Sequence, residues 1–278
     1  MRGPPKSSDW SSRVRFSGSS SGDAHAAWYR AIAEHYDAIA NPTWDRRTDE
    51  FLASLLRRHG PIVDVLDVAC GTFRLDLNLV RQGYRVYGRD LSPDMIRVAR
   101  ENLARAKLRA DVSEADMRTL AVGLQFDAIL CLGTAFNYLV DPADVRRALK
   151  GFSRHLRRGG LLVLDLTNFD AWINDPKNAR VDWDFRGKDG TRLAIYGFND
   201  QSPGKVVHLA RFLTVVQRGP DIDVRFDEAP LKVWSKETIA RALRTYAFRP
   251  VEWWGDLAPG VPYRPKKSER LVAVAKRL

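Results

Sequence analysis

The sequence predicts an α/β protein with a mostly parallel seven-stranded sheet, helices on both faces and an antiparallel β insert after the fifth strand. Apolar runs at residues 63–68 and 161–166 are typical of parallel strands that are covered on both faces. Between residues 180 and 233, strand-like segments are separated by turns that contain Gly and Pro, which is typical of antiparallel strands. Helix and strand patterns then return, so the insert interrupts one α/β domain.

The first strand, residues 63–68, leads into a tight turn where Gly71 is the residue best able to adopt a positive φ. A helix follows, and Thr72 is its predicted N-terminal cap. The second strand, residues 84–88, is followed by Asp90, which stands about twenty residues beyond the turn. At this spacing an acidic side chain can accept hydrogen bonds from both hydroxyls of a ribose. This unit therefore predicts a cofactor that carries a ribose.

The remaining elements alternate and then change character. Helices are predicted over residues 42–59, 93–107 and 141–159, and further parallel strands over residues 108–112, 126–132 and 161–166. The predicted insert strands are residues 181–185, 192–198, 206–216 and 223–231, and a helix capped by Ser235 precedes two last strands at 251–254 and 271–275. We therefore expect a disordered arm at residues 1–22, an α/β domain at residues 23–170 and 234–278, and a substrate lid at residues 171–233.

Two motifs identify a family resemblance. The run Val-Leu-Asp-Val-Ala-Cys-Gly-Thr at residues 65–72, followed by Val-x-Gly-x-Asp-x-Ser-x-x-Met at residues 86–95, resembles the class I S-adenosylmethionine-dependent methyltransferases. The Ala-Cys-Gly-Thr form is most similar to the small-molecule branch that includes glycine and sugar-amine N-methyltransferases. The resemblance runs from about residue 24 to the C-terminus and is weakest in the insert. It implies a Rossmann-like fold, S-adenosylmethionine as cofactor and methylation of a small molecule, with an amine favoured.

The resemblance also assigns roles to residues. Asp67 and Gly71 would border the methionine part of the cofactor, and Asp90 would hold the ribose. Asp116 would approach the adenine amino group, and Met117 would pack against the adenine ring. The full set of cofactor residues that it implies is Tyr36, Asp67, Ala69, Gly71, Asp90, Leu91, Asp116, Met117 and Leu132.

Phe73 departs from the family pattern. The family usually has glycine at this position, and often also where Ala69 stands. Two outcomes are open: the ring points into the core, or it alters the cofactor pocket. In the second case the fold could serve another reaction, such as an intramolecular cyclisation, or act as a non-catalytic partner.

Methyl transfer depends on alignment and exclusion of water more than on acid–base groups, so the sequence needs no catalytic dyad. The loop that follows the fourth strand should face the transferred methyl group, because ligands of α/β sheets lie beyond the carboxyl ends of the strands. Asn137 and Tyr138 in this loop are the predicted catalytic and substrate-orienting residues. His208 in the insert is a further candidate for substrate binding. No metal site is predicted.

Charge and cysteine content set limits on partners. The net charge of +11 comes from 45 Lys and Arg against 34 Asp and Glu, but the basic residues are scattered and form no stripe interleaved with aromatics. A nucleic-acid partner is therefore not favoured, although methylation of RNA or protein stays open as a third interpretation. No apolar run is long enough to span a bilayer, and two free cysteines would suit a reducing cytoplasm. The sequence carries no signal for an oligomeric state.

Overall fold

The computed structural model describes residues 14–19, 28–30, 32–39, 42–172, 179–187, 189–199 and 206–278. Its strands form a seven-stranded sheet and a five-stranded sheet. The strands are β1 (Val14–Ser19), β2 (Asp64–Val68), β3 (Arg85–Asp90), β4 (Asp111–Glu114), β5 (Phe126–Cys131), β6 (Leu156–Thr167), β7 (Ala179–Arg186), β8 (Arg192–Asn199), β9 (Val207–Arg218), β10 (Asp221–Lys232), β11 (Phe248–Trp254) and β12 (Arg270–Arg277).

Helices connect the strands of the larger sheet. The α-helices are α1 (Pro42–Arg58), α2 (Asp76–Arg81), α3 (Pro93–Ala106), α4 (Pro142–His155), α5 (Phe169–Trp172) and α6 (Lys236–Thr245), and 3₁₀ helices span Ala33–Ile39 and Ala135–Tyr138. Ser92 caps α3, Asp141 caps α4 and Ser235 caps α6, each by accepting a hydrogen bond from a backbone N–H of the first turn. The predicted cap of the last helix is thus confirmed.

The larger sheet has the strand order β11-β12-β6-β5-β2-β3-β4. Its strands from β6 to β4 pair in parallel, whereas β12 is antiparallel to both of its neighbours. Successive side chains of β2 face opposite sides: Leu66 packs in a core with α4 and α6, and Val65 packs in a core with α1 and α3. Helices therefore cover both faces, and the predicted α/β fold is confirmed.

The insert supplies four strands of the five-stranded sheet, whose order is β1-β10-β9-β8-β7. All four predicted insert strands are present as β7 to β10, and they pair antiparallel. The inner face of this sheet packs on the segment before α1, where Trp28 and Ile32 contact Ile195 and Val216. The insert therefore lies against the segment that carries Tyr36.

Part of the arm predicted as disordered over residues 1–22 forms the fifth strand of this sheet. Val14–Ser19 form β1, which pairs in parallel with β10, and Arg15 Nε donates to Asp223 Oδ1 at 2.6 Å. Backbone pairing with an exposed sheet edge needs no local apolar pattern, and this explains why composition did not reveal the strand. The other residues of the predicted arm lie outside the described ranges.

Two boundaries of the α/β domain also differ from the sequence prediction. The helix after the turn begins at Asp76 and not at Thr72, because Phe73 has a φ of 60° and Thr72 donates its hydroxyl hydrogen to Asp37. The third parallel strand begins at Asp111, because Leu108 N is hydrogen-bonded to Leu103 O at the end of α3. Among the described residues, no helix is long and apolar enough to cross a membrane.

Candidate active site

Asp90 ends β3 and holds the loop that follows β2, which we call the glycine loop (residues 69–75). Asp90 Oδ2 accepts a hydrogen bond from Gly71 N at 2.8 Å, and Oδ1 accepts one from Ser92 N at 2.8 Å. A carboxylate oxygen can accept two hydrogen bonds, so each oxygen keeps one acceptor position for a ligand. Burial raises the pKa of Asp90 above its ordinary value, although hydrogen bonding from the backbone N–H groups of Ser92, Gly71 and Leu91 opposes this rise. Asp90 is therefore well placed to accept hydrogen bonds from two ribose hydroxyls.

The glycine loop has an unusual backbone. Ala69, Gly71 and Phe73 all have a positive φ, of 67°, 55° and 60°. Glycine adopts this conformation freely, whereas Ala69 and Phe73 adopt it under strain. A Cβ added to Gly71 would meet no atom within 4 Å, so the space that a side chain would enter at this residue is open. The open backbone beside Asp90 fits a ligand that approaches the loop closely.

Phe73 directs its ring into the core. The residue is 0% exposed and packs in the core on the α1 and α3 side of the sheet. A Cβ added to Gly88 of β3 would lie 2.8 Å from Phe73 Cδ2 and 2.8 Å from Cys70 Sγ, so the ring occupies the space that this glycine leaves. Of the two outcomes that the sequence left open for Phe73, the structure has the ring in the core.

Asp67 and Asp76 stand at the two ends of the glycine loop, and they are 3% and 2% exposed. Asp67 Oδ1 and Asp76 Oδ2 accept no hydrogen bond from an N–H or hydroxyl of the described residues. Burial raises the pKa of Asp67 well above its ordinary value and raises that of Asp76 to about 7. Buried acceptors without a donor fit a site whose ligand supplies hydrogen-bond donors, so these residues are compatible with the cofactor that the family resemblance implies.

A polar network ties the segment before α1 to the glycine loop. Asp37 Oδ1 accepts a hydrogen bond from Thr72 Oγ1 at 2.5 Å, and Asp37 Oδ2 accepts one from Asn102 Nδ2 at 2.5 Å. Arg74 Nε lies 3.5 Å from Asp37 Oδ1, and Arg74 also pairs with Asp45 of α1. The network fixes the residue next to Tyr36. No local sequence pattern predicts this network, because its members lie far apart in the chain.

Three tyrosines meet at the same end of the sheet, and we call them the tyrosine cluster (Tyr29, Tyr36 and Tyr138). The ring centroids of Tyr29 and Tyr36 are 6.0 Å apart, and those of Tyr29 and Tyr138 are 6.2 Å apart. The hydroxyl oxygens of Tyr29 and Tyr138 are 3.5 Å apart. Burial raises the pKa of all three phenols, and the charge of Asp90 adds to the rise at Tyr29 and Tyr36.

The cluster therefore lies near Asp90, and it brings together two residues that the sequence predicted. Tyr29 is the member that the sequence analysis missed. The helical spacing between Tyr29 and Tyr36, two turns apart, is the signal that could have found it.

The predicted adenine residues lie on the next loop along the sheet. Both carboxylate oxygens of Asp116 accept hydrogen bonds from Arg118 Nε, at 3.0 and 2.7 Å, and Oδ1 also accepts one from Arg118 N. Burial raises the pKa of Asp116, but these hydrogen bonds outweigh burial and lower it overall. Met117 is half-buried against the core, Leu132 is buried, and Leu91 is 38% exposed. An exposed leucine that follows Asp90 directly is available to cover a bound ligand.

The side chain of Asn137 binds the backbone and does not have the predicted role in catalysis and substrate orientation. Its side chain is 0% exposed; Nδ2 donates to Lys232 O at 2.8 Å, and Oδ1 accepts from Thr167 N at 3.3 Å. The amide thus joins the loop after β5 to the ends of β10 and β6. Because both of its polar groups bind backbone, Asn137 positions this loop, and a direct contact with reacting atoms does not agree with the structure.

His208 lies on the inner face of β9 and is 6% exposed. Its ring centroid is 4.7 Å from that of Phe169, which packs in the same apolar cluster as Tyr138. The histidine is therefore separated from the tyrosine cluster by one ring.

A buried ion pair supports the loop after β5. Asp165 of β6 is 0% exposed, accepts a hydrogen bond from Arg270 Nε at 2.8 Å and pairs with Arg270 through a second nitrogen. Asp165 Oδ2 also accepts from Gly133 N at 2.9 Å. Arg270 is close enough to Tyr36 to act against the rise of its pKa. The signal for this pair was an aspartate within an otherwise apolar strand, because a buried charge needs a partner.

The described residues contain no group of three or more His, Cys, Asp or Glu side chains placed to hold a metal ion. The site consists of an open glycine loop, an acidic residue at the end of β3 and a cluster of phenols. Such a site can bind a ribose-bearing cofactor and align a second small molecule beside it.

Comparisons with known proteins agree with this geometry. A family model described as a methyltransferase domain matches residues 65–160. A glycine/sarcosine N-methyltransferase from Aphanothece halophytica is 27% identical over 265 residues, which cover 90% of this chain and 89% of that protein. A glycine/sarcosine N-methyltransferase from Parasynechococcus marenigrum is 36% identical over 192 residues, which cover 61% of this chain and 67% of that protein.

Among solved structures, a sugar N-methyltransferase from Streptoalloteichus has the same fold. It superposes with a TM-score of 0.70 at 22% identity, and the match covers 94% of this chain and 95% of that one.

Proposed function

We propose that the chain methylates an amino nitrogen of a small acceptor held beside the tyrosine cluster. The chain belongs to the S-adenosylmethionine-dependent methyltransferases that modify small molecules. When bound, S-adenosylmethionine supplies an electrophilic methyl group on a sulfonium. The chain's own residues bind the cofactor, orient the acceptor and exclude water.

Asp90 and the glycine loop are the proposed anchor of the cofactor. Asp90 would accept hydrogen bonds from the ribose hydroxyls, for which it keeps one acceptor position on each oxygen. Leu91 and Leu132 would enclose the ribose and adenine, with Met117 against the adenine ring. Asp116 would accept a hydrogen bond from the adenine amino group in exchange for one of those from Arg118.

The raised pKa values of the tyrosine cluster support the choice of nitrogen as the methylated atom. Burial raises the pKa of Tyr29 and Tyr36, and it raises the pKa of Tyr138 to about 12. Such phenols stay protonated at neutral pH, so none of them can remove a proton from an alcohol. A neutral amine brings its own lone pair and needs no base. Aromatic ring faces also favour the positive charge that develops on nitrogen during the transfer.

The insert is the proposed lid over the acceptor. Its inner face reaches the tyrosine cluster through Phe212, beside Phe169 of α5, and His208 lies on the same face. We propose that Tyr138 orients the acceptor, that His208 shapes the far side of the pocket and that Asn137 fixes the loop between them. The relatives named above act on glycine, sarcosine or a sugar amine, so the proposed acceptor is an amino acid or an amino sugar.

The test compares amines with matched alcohols. The enzyme is incubated with S-adenosylmethionine that carries a deuterated methyl group and with pairs of acceptors that differ only by an amino or hydroxyl group. Mass spectrometry of the products should show the label on the amine of a pair and not on its hydroxyl counterpart. Label on the alcohols, or only on RNA or protein, would contradict the proposal.

Removal of one phenolic hydroxyl tests the site itself. In Tyr138→Phe the hydrogen bond to the acceptor or to Tyr29 is lost, and we expect kcat to fall by about 3- to 10-fold, the scale of one hydrogen bond. Affinity for S-adenosylhomocysteine should not change. Tyr84→Phe is the matched control, because Tyr84 directly precedes the amino-terminal end of β3, and the candidate site lies at the carboxyl ends of the strands. Equal rates for the two variants would contradict a role for Tyr138.

We also propose a biosynthetic enzyme of the cytoplasm. Both cysteines, Cys70 and Cys131, are free, which suits a reducing compartment. Thiol titration of denatured protein taken directly from cells should find two free thiols per chain. A disulfide in that sample would contradict the assigned compartment.

A further inference from the structure

His155 ends α4, and none of the proposed steps uses its imidazole. The residue is 9% exposed and lies against the loop between β4 and β5, which we call the β4–β5 loop (residues 115–125). His155 Nε2 accepts a hydrogen bond from Val122 N at 3.1 Å. His155 Nδ1 lies 2.8 Å from Gly151 O, one turn earlier in the helix. The imidazole therefore joins the last turn of α4 to the second half of this loop.

These two partners decide which nitrogen of the imidazole carries the proton. A backbone N–H only donates hydrogen bonds, so Nε2 must be unprotonated to accept one from Val122 N. A carbonyl oxygen only accepts hydrogen bonds, so Nδ1 must carry a proton and donate to Gly151 O. The geometry thus requires a neutral imidazole with its proton on Nδ1, because no other protonation state makes both hydrogen bonds.

The first half of the β4–β5 loop also lies on α4. Arg118 Nη1 is 3.5 Å from Asp144 Oδ2 in the first turn of the helix. A Cβ added to Gly151 would lie 3.8 Å from both Met117 O and Leu120 Cβ, so the loop passes directly over this turn of the helix. The backbone of Met117 therefore lies against Gly151, whose carbonyl oxygen accepts the hydrogen bond from the imidazole.

The loop contains no helix or strand of its own, so its position depends on these contacts. Gln125 Nε2 donates to Arg154 O at 3.2 Å, but this hydrogen bond is exposed to water, which can replace it. His155 is buried, so loss of its imidazole would leave Val122 N without its present partner. The loop should then shift relative to the helix.

We propose that His155 is a positioning residue for the adenine of the cofactor. Its imidazole holds Val122 and thereby sets the position of Asp116 and Met117 on the same loop. The inference rests on the proposed function, which places the adenine against these two residues. His155 contacts no part of the cofactor and acts only through the loop.

Two ligands that differ at one position of the purine test this role. In S-inosylhomocysteine an oxygen replaces the 6-amino group of S-adenosylhomocysteine, so that group offers Asp116 no hydrogen-bond donor. Calorimetry of the full-length protein should show that the wild type binds S-adenosylhomocysteine at least about tenfold more tightly, the scale of one hydrogen bond to a charged group.

In His155→Leu this ratio of affinities should fall by about 3- to 10-fold, because the loop no longer holds Asp116 in place. A structural defect without a positioning role would lower both affinities and leave their ratio unchanged. That result would overturn the inference.

Two variants are the matched controls. His155→Gln can accept a hydrogen bond from Val122 N through its Oε1, so it should keep the wild-type ratio. His59→Leu makes the same substitution at a histidine whose side chain is 12% exposed and whose partner is Glu252 of β11, and it should also keep the ratio. A ratio that falls in either control as far as it does in His155→Leu would contradict the role of the hydrogen bond to Val122.

Nitrogen NMR of the wild type tests the imidazole without any ligand. Long-range proton–nitrogen correlations distinguish a protonated Nδ1 from a protonated Nε2, and the signal of His155 is the one that is missing in His155→Gln. We expect the proton on Nδ1, and a proton on Nε2 would overturn the inference. Equal wild-type affinities for the two ligands would overturn it as well, because the loop would then not contact the adenine amino group. Failure of S-adenosylhomocysteine to bind would contradict the cofactor assignment, which is a distinct result.

Discussion

Variants at Phe73 separate the cost of a strained backbone from the stability that the buried ring contributes. The residue is 0% exposed and has a φ of 60°. Phe73→Gly removes the ring and relieves the strain, whereas Phe73→Ala removes the ring and keeps a Cβ in the left-handed conformation. The two variants lose the same packing, so they differ mainly in the backbone.

The expected free energies predict that the glycine variant is more stable than the alanine variant, the reverse of the usual order. Truncation of a buried phenylalanine costs about 3–5 kcal/mol. A left-handed residue other than glycine costs about 1–2 kcal/mol, and glycine loses about 0.5–1 kcal/mol through the entropy of the unfolded chain. Both variants should therefore be less stable than the wild type, and Phe73→Gly should be more stable than Phe73→Ala by up to about 1 kcal/mol.

Urea denaturation measures both free energies of unfolding, and calorimetry measures affinity for S-adenosylhomocysteine. Phe126 of β5 is the matched control, because it is equally buried and its φ is not positive. There the glycine variant should be the less stable one. A Phe73→Ala protein more stable than Phe73→Gly would refute the strain argument. Tighter ligand binding by Phe73→Gly would show that the ring occupies the pocket.

Three further predictions concern neighbouring residues. Ala69→Gly should raise the free energy of unfolding by up to about 1 kcal/mol, because it relieves a φ of 67°; thermal unfolding measures this, and a loss of stability would contradict it. Asn137→Ala should cost about 2–4 kcal/mol in urea denaturation, because it leaves two buried backbone groups without partners; a cost below that of one hydrogen bond would count against its positioning role.

The third prediction concerns the pH dependence of stability. Between about pH 4 and 7 the folded protein binds more protons at Asp76 than the unfolded chain does. The contribution of Asp76 to the free energy of unfolding therefore falls as pH rises through this range. Asp76→Asn should therefore gain up to about 3 kcal/mol relative to the wild type between about pH 5 and 7.5, and a constant difference across that range would contradict the assignment.

The α/β core could be predicted because its signals are local. The run at residues 161–166 shows a strand buried on both faces, and the turns at Gly190 and Gly219 separate the insert strands as expected. Asp90 could be placed from spacing alone, because a βαβ unit brings the ends of neighbouring parallel strands together.

The parts that the sequence did not reveal depend on contacts between distant residues. Strand β1 forms by pairing with β10, and the late start of α2 follows from the bond between Thr72 and Asp37. Tyr29 lies beside Trp28, which packs against the insert and whose Nε1 donates to Thr214 Oγ1 at 3.0 Å. The role predicted for Asn137 relied on its position in a loop, and position alone does not tell whether an amide already has partners.

We propose that the carboxyl ends of the parallel strands bind S-adenosylmethionine through Asp90. The most direct test is the affinity for S-adenosylhomocysteine, measured by calorimetry on the wild type and on Asp90→Ala. The matched control is Glu101→Ala, because Glu101 lies on α3, its side chain is 49% exposed and it pairs with Arg97, which is also exposed.

We expect Asp90→Ala to bind with an affinity about 10- to 150-fold lower, which corresponds to a loss of about 1.5–3 kcal/mol from hydrogen bonds to a charged acceptor. Glu101→Ala should bind as the wild type does. Unchanged affinity in a folded Asp90→Ala protein would contradict this proposal.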